Sequence, residues 1–285
     1  MVMEKAAVKA LERLPKNLVS RAFGMVSEVE LPRPIQKVVN SSFAELAGID
    51  VAEGERSPRE YDSLNAYFTR RLRSGARHIE SHESDTLVSP VDGKVGAFGN
   101  INAGTLLQAK GRTYRLLDLV DSAEEAARFD GGAFITIYLS PRDYHRIHAP
   151  VGGQVDAVSY IPGYLFPVNP FAVRNIDELF AVNERLISYL DTEKLGRVGV
   201  VKVGATCVGR IGLAFDGFET NGTFRRREDF SPREELHVDH GDELGVFNLG
   251  STVILLISEP TFRFREDLRF GDVVRLGERL GALEG

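Results

Sequence analysis

Residues 247–257 read Phe-Asn-Leu-Gly-Ser-Thr-Val-Ile-Leu-Leu-Ile. A short apolar run bounded by turn residues reads as a buried strand, here Val253–Ile257. Gly250 tolerates backbone geometry that other residues cannot adopt. Ser251 places a hydroxyl at the entrance of the strand. Outward from this stretch, similar β-rich runs recur at Phe134–Leu139, Leu186–Leu190, Val198–Val203 and Thr252–Ile257. Turn signals separate them: Asp92-Gly93, Gly152-Gly153, Asp216-Gly217 and Asn221-Gly222. Gly241-Asp242 and Gly271-Asp272 form a short internal echo, each followed by further apolar residues and a second glycine. From about residue 85 onward the pattern predicts a mainly antiparallel β-body, sandwich-like or barrel-like.

The N-terminal part has a different texture. Met3, Ala7, Ala10, Leu11 and Leu14 fall on one face at helical spacing, with Lys5, Lys9 and Arg13 on another. Pro15 interrupts and can open a second helix carrying Leu18, Val19, Ala22, Phe23 and Val26. A further helix is expected over 57–73, opened by a capping box at Ser57-Pro58-Arg59-Glu60. The fold class is therefore α+β, with amphipathic helices ahead of the β-body. The expected division is a helical N-terminal segment, 1–56, and a β-rich domain, 57–285.

Composition narrows the classes. Of 285 residues, 43% are hydrophobic and 27% charged, as in a globular protein rather than a disordered one. The lone Cys207 can form no intramolecular disulfide and fits a reducing compartment. No apolar run reaches the length of a membrane span, and no signal peptide stands out. The net charge of −6 argues against nucleic acid as the main partner. Within 1–40, seven basic residues face four acidic ones, a basic start on an acidic body. Helices of this kind can lie in an anionic lipid interface or pack on the protein's own core.

Four segments could carry chemistry. In Ser89-Pro-Val-Asp-Gly-Lys-Val95, Asp92 either bonds its own turn or orients an imidazole. In Ser140-Pro-Arg-Asp-Tyr-His-Arg-Ile-His-Ala-Pro150, His145 and His148 are expected on one face of a short helical turn opened by Ser140 and Asp143. They could be a general base, bonded core histidines, or metal ligands with Asp143, although the spacing differs from the helical zinc motif. Gly250-Ser251 could be a simple turn or a peptide bond that must distort. The apolar, proline-rich stretch 160–171 could wall a substrate path or pack on the core. Arg225-Arg226-Arg227 reads as a solvated face.

Taken together, S-P-V-D-G-K-V at 89–95, Y-L-S-P-R-D-Y-H-R-I-H-A-P at 138–150, V-G-A-T-x-V-G at 203–209 and L-G-S-T at 249–252 resemble the bacterial, membrane-associated phosphatidylserine decarboxylases. The resemblance runs from about residue 57 to the end. It implies a proenzyme that cuts itself between Gly250 and Ser251, giving a long chain, 1–250, and a short chain, 251–285. It assigns Asp92, His148 and Ser251 to a self-cleavage triad, with Ser251 converted to a covalent pyruvoyl cofactor. That group would form a Schiff base with phosphatidylserine and act as an electron sink for loss of CO₂. His145 becomes a candidate for the decarboxylation step or for substrate contact. No metal is implied. A homodimer of processed units, peripheral on the cytoplasmic face of the cell membrane, fits the same family. The rivals are a phosphocarrier-like β-module, a non-catalytic lipid-binding protein, and a zinc hydrolase using Asp143, His145 and His148.

Overall fold

The computed structural model describes residues 16–109, 112–206, 210–220, 226–248 and 251–284. The helix expected over 3–14, Cys207, the Asn221-Gly222 turn, Arg225 and Gly250 lie outside the described residues.

Two helices come first, α1 (Lys16–Glu28) and α2 (Arg33–Ala47). Pro34 sits in the first turn of α2, and Gly48 ends it with φ 71°, its N–H returning to Ala44 and Glu45 carbonyls. Both helices turn several polar residues inward. Lys16, Ser20 and Ser27 of α1 and Gln36 and Asn40 of α2 are buried, whereas Leu18, Met25, Val26 and Val38 are each about two-thirds exposed. The inner face of α2 is held by hydrogen bonds. Gln36 Nε2 donates to Asn40 Oδ1 at 2.7 Å, and Asn40 Nδ2 donates to the carbonyls of Pro58 and Tyr61, both at 3.0 Å.

The helix expected over 57–73 does not run through. The capping box at Ser57 and Glu60 forms, but it opens only a 3₁₀ turn, Pro58–Glu60. Tyr61 is extended, and Ser63 starts a new helix, α3 (Leu64–Phe68). The break has a tertiary cause: Asn40 takes the Pro58 and Tyr61 carbonyls that a continuous helix would use internally.

Strands β1 (Thr86–Val88) and β2 (Gly93–Asn100) open the β-body. A hairpin, β3 (Thr105–Ala109) and β4 (Arg112–Arg115), and two short helices, α4 (Leu116–Val120) and α5 (Ala123–Phe129), lead to β5 (Ala133–Leu139). Then come β6 (Arg146–His148), β7 (Gly153–Ile161), α6 (Pro170–Asn175), α7 (Leu179–Val182), β8 (Arg185–Asp191) and β9 (Arg197–Val203). β10 (Arg210–Leu213), β11 (Glu228–Phe230), β12 (Leu236–Val238), β13 (Glu243–Asn248) and β14 (Ser251–Ile257) follow. β15 (Phe262–Phe264), β16 (Val273–Val274) and β17 (Arg279–Leu283) end the order.

The largest sheet runs β11-β7-β8-β9-β14-β5-β2-β16, with β12 also on β7. Every pairing in it is antiparallel. Smaller sheets are β10-β13-β6, β1-β17-β15 and β3-β4. The body is thus the expected antiparallel layered structure, open rather than closed into a barrel. β14 lies in the middle of the large sheet, and all seven of its residues are buried. The Gly-Asp echo is a repeated turn. Gly241 and Gly271 have φ of 86° and 92°, and Asp242 and Asp272 each accept from the backbone N–H three residues earlier.

Candidate active site

The strands position the site through two matched connections. β13 and β14 border residues 249–250, and they pair with β6 and β5, which border residues 140–145. Ser251 lies opposite Leu139, and the Phe247 N–H donates to the His145 carbonyl at 2.9 Å. β2 flanks β5 on its other side, with Lys94 opposite Tyr138. Gly93 must be glycine here, because a Cβ would lie 2.6 Å from the Tyr138 carbonyl oxygen. Asp92, the 140–148 segment and Ser251 therefore gather at one end of adjacent strands, β2, β5 and β14. The His148 N–H also donates to the Pro90 carbonyl at 2.9 Å, tying β6 to the Asp92 turn.

Ser251 is 1% exposed, and its Oγ has no hydrogen-bond partner among the described residues. His148 is buried. Its Nδ1 lies 2.6 Å from the Gly241 carbonyl and its Nε2 3.2 Å from the Tyr144 hydroxyl. A carbonyl only accepts, so Nδ1 carries the proton and the Nε2 lone pair faces Tyr144 O–H. Burial pushes His148 below the usual histidine range, which favours this neutral form at neutral pH. His145 is fully buried against Phe68, their ring centroids 3.9 Å apart. Its Nδ1 donates to the Asp143 carbonyl at 2.8 Å, and its Nε2 is unpartnered among the described residues. Burial first, and the Arg70 charge second, push it down to about 3, so it is neutral.

Asp92 is held elsewhere. Arg77 Nε donates to it at 2.8 Å, Arg77 Nη2 makes a second contact, and the Leu276 N–H donates at 2.9 Å. No hydrogen bond joins Asp92 to His148, or His148 to Ser251, among the described residues. The carboxylate acts on His148 through its charge, one of the influences that favour the protonated ring. The helical turn expected at 140–148 is corrected by the structure. Ser140 and Asp143 do close a turn, with Ser140 N–H and Oγ each 2.7 Å from Asp143 Oδ2. Arg146–His148 is nevertheless strand β6, because pairing with β13 prevails, and the two histidines do not share a helical face.

Sequence reasoning missed three residues around this site. Arg77 clamps Asp92, and Tyr144 caps the base nitrogen of His148. Arg70 donates Nη2 to the carbonyls of Arg142 at 3.2 Å and Asp143 at 3.5 Å. Tyr144 was findable within the histidine motif; nothing local marks the two arginines. Among the described residues, no group of three or more His, Cys, Asp and Glu is placed to hold a metal ion.

The family model described as phosphatidylserine decarboxylase matches residues 64–282. The phosphatidylserine decarboxylase proenzyme of Myxococcus xanthus (strain DK1622) is 43% identical over 284 residues, covering 98% of this chain and 99% of the relative. That of Anaeromyxobacter sp. (strain K) is 44% identical over 282 residues, covering 98% of each. That of Brevibacillus brevis is 40% identical over 271 residues, covering 95% of each. With the match spanning the helices, the Asp92 turn, the histidine segment and β14 alike, the chain belongs to the phosphatidylserine decarboxylase family.

Proposed function

We infer that the chain is a proenzyme that cuts itself between Gly250 and Ser251 and then converts phosphatidylserine to phosphatidylethanolamine and CO₂. The observation that carries this reading is the Ser251 hydroxyl. A buried polar group without a partner costs about 1–3 kcal/mol, and folds retain few of them. This one lies at the entrance of the central strand, on the loop-bordered end where both histidines and Asp92 gather.

His148 Nε2 is the base in this reading, its tautomer fixed by the Gly241 carbonyl rather than by Asp92. Asp92 contributes charge that favours the imidazolium as the proton moves from Ser251 Oγ. The oxygen adds to the Gly250 carbonyl carbon, and the peptide C–N bond breaks to leave an ester. Loss of the Ser251 Cα proton expels the Gly250 carboxylate and leaves dehydroalanine. Water then replaces nitrogen, ammonia departs, and residue 251 ends in a ketone. That pyruvoyl group supplies an electron-withdrawing carbonyl able to take up the electron pair left when CO₂ departs. His145, neutral and with a free Nε2, is suited to accept a hydrogen bond from the substrate rather than to hold a proton.

The outward apolar faces of α1 and α2 support a lipid surface as the place of action, since Leu18, Met25, Val26 and Val38 are each about two-thirds exposed. No helix among the described residues is long and apolar enough to cross a membrane. In this reading residues 1–56 are the membrane-association segment, 57–285 the catalytic part, and the basic N-terminal charge favours the anionic cytoplasmic leaflet.

Intact mass under denaturing conditions tests the core of the proposal. The expected wild-type result is two chains, 1–250 and 251–285, the smaller carrying pyruvoyl in place of serine. The Ser251→Ala variant stays whole and inactive. A wild-type chain that remains uncut on lipid would move the assignment to the carrier or lipid-binding alternatives.

A further inference from the structure

Two adjoining cavities, of about 470 and 260 Å³, lie between the outer helices and the histidine loop. The larger is lined by Arg33 and Lys37 of α2, and the smaller by Thr69, Arg70 and Arg146. They share Arg56, Glu60, Tyr61 and Asp62, so they form one cleft. Its basic side chains outnumber its acidic ones, Glu30, Glu55, Glu60 and Asp62. Arg71 and Arg146 are paired with Glu243, and Glu60 accepts from the Ser57 N–H. Arg33, Lys37 and Arg56 make no ion pair with a described residue.

Arg70 closes the inner end. It is 5% exposed, and its Nε and Nη1 have no hydrogen-bond partner among the described residues. A buried guanidinium with unused donors in a rigid fork is a receptor for an oxyanion. Its one engaged nitrogen rests on the carbonyls of residues 142 and 143, on the loop that begins after Leu139, opposite Ser251. The outer end of the cleft opens beside Leu31, at the apolar surface of α1 and α2.

The following inference rests on phosphatidylserine being the substrate. That lipid head carries two anions. The carboxylate loses its charge in the reaction, so a cation bound to it would favour the ground state over the transition state. The phosphodiester keeps its charge throughout and lies roughly 5 Å from the serine nitrogen by covalent geometry. We propose that this cleft binds the phosphodiester of the lipid head group, with Arg56 at its waist and Arg70 at its inner end as specificity-determining residues. The acyl chains then leave toward the exposed apolar helices.

The test uses full-length, self-cleaved protein and phosphatidylserine in neutral mixed micelles. Arg56→Gln is expected to raise KM about tenfold with kcat within about twofold. Arg70→Gln does the same or more, and Arg70→Lys recovers part of the loss. Because Arg56 is exposed, its variant carries the test even where Arg70→Gln fails to fold. Binding of Arg56→Gln to detergent micelles made anionic with oleate, which carries no phosphodiester, stays at the wild-type level. An equal loss there means general surface attraction and overturns the proposal. A cleft that takes free phosphate instead leaves KM unchanged and alters only inhibition by inorganic phosphate, which also overturns it. Unchanged variants of an active wild type sink the cleft assignment alone. A wild type that neither cuts itself nor decarboxylates sinks the underlying reading as well.

Discussion

Lys202 is fully buried in β9, one strand from β14, and among the described residues its ammonium has only Ser188 Oγ at 2.7 Å and the Val200 carbonyl at 3.4 Å. Burial pushes it down to about 7, whereas an unfolded lysine titrates near 10.4. Between those values the unfolded chain holds the extra proton, so stability rises with pH across that window. Lys202→Met is expected to stabilise the fold at pH 7 by on the order of 2 kcal/mol and to flatten the rise between pH 7 and 10. Urea midpoints at pH 7 and 9 check both; a lower midpoint at both would mean that the amine is a net contributor. Arg77 presents the opposite case. Its side chain is 8% exposed and bridges Asp92 and Glu53, whose carboxyl Arg77 holds below the usual carboxylate range. Arg77→Gln leaves the Asp92 carboxylate without its cation while Glu53 keeps Arg275 at 2.9 Å, and a loss of about 3 kcal/mol is expected in the same assay. His145 separates the two reactions proposed for the site. His145→Gln is expected to be cut normally, with decarboxylation down about tenfold, the worth of one neutral hydrogen bond to the substrate. Failure of cutting by mass would place His145 in the first step instead.

The elements divide by how their information is encoded. The central strands were legible because an apolar run with glycine or charge at its ends encodes itself: Phe134–Leu139 became Ala133–Leu139, and Thr252–Ile257 became Ser251–Ile257. Ser251, His148 and Asp92 were legible as motif residues, but their partners were not. His148 bonds the carbonyl of Gly241, and Asp92 bonds Arg77 and Leu276, contacts that no local spacing encodes. The helix drawn through 57–73 failed for the same reason, since Asn40 interrupts it from another element. The outer helices hold a subtler lesson. Their periodicity was readable, but a helical period does not tell which face meets the protein. Here Gln36, Asn40 and Ser20 face inward, so the apolar side is left outward. Replacing Leu18, Met25 and Val26 together by serine is therefore expected to leave the unfolding midpoint nearly unchanged, since each of these side chains is about two-thirds exposed. Vesicle binding should fall by at least about tenfold, because each buried methylene adds roughly 0.8 kcal/mol. A drop in stability with vesicle binding intact would mean that the apolar face packs against protein.

At the scale of the molecule, the proposed cut falls at a position where severing the chain does not release a piece. The fragment 251–285 begins with β14, which pairs along its length with β5 on one side and β9 on the other. Its last strand, β17, pairs with β1 from the long chain. Val253, Ile254, Leu255, Leu256 and Ile257 are all fully buried. Each such side chain contributes about 1.5–3 kcal/mol of transfer free energy, far more than the orienting cost of one broken peptide bond near the sheet's end. The two chains should therefore elute together in size exclusion and unfold in a single transition. They should separate only in denaturant beyond that transition. The same burial means that refolding after separation is bimolecular, so recovery of the processed protein should depend on concentration, whereas that of Ser251→Ala should not. Spontaneous release of the 35-residue chain in native buffer would show that β14 is held less firmly than its pairing and burial require.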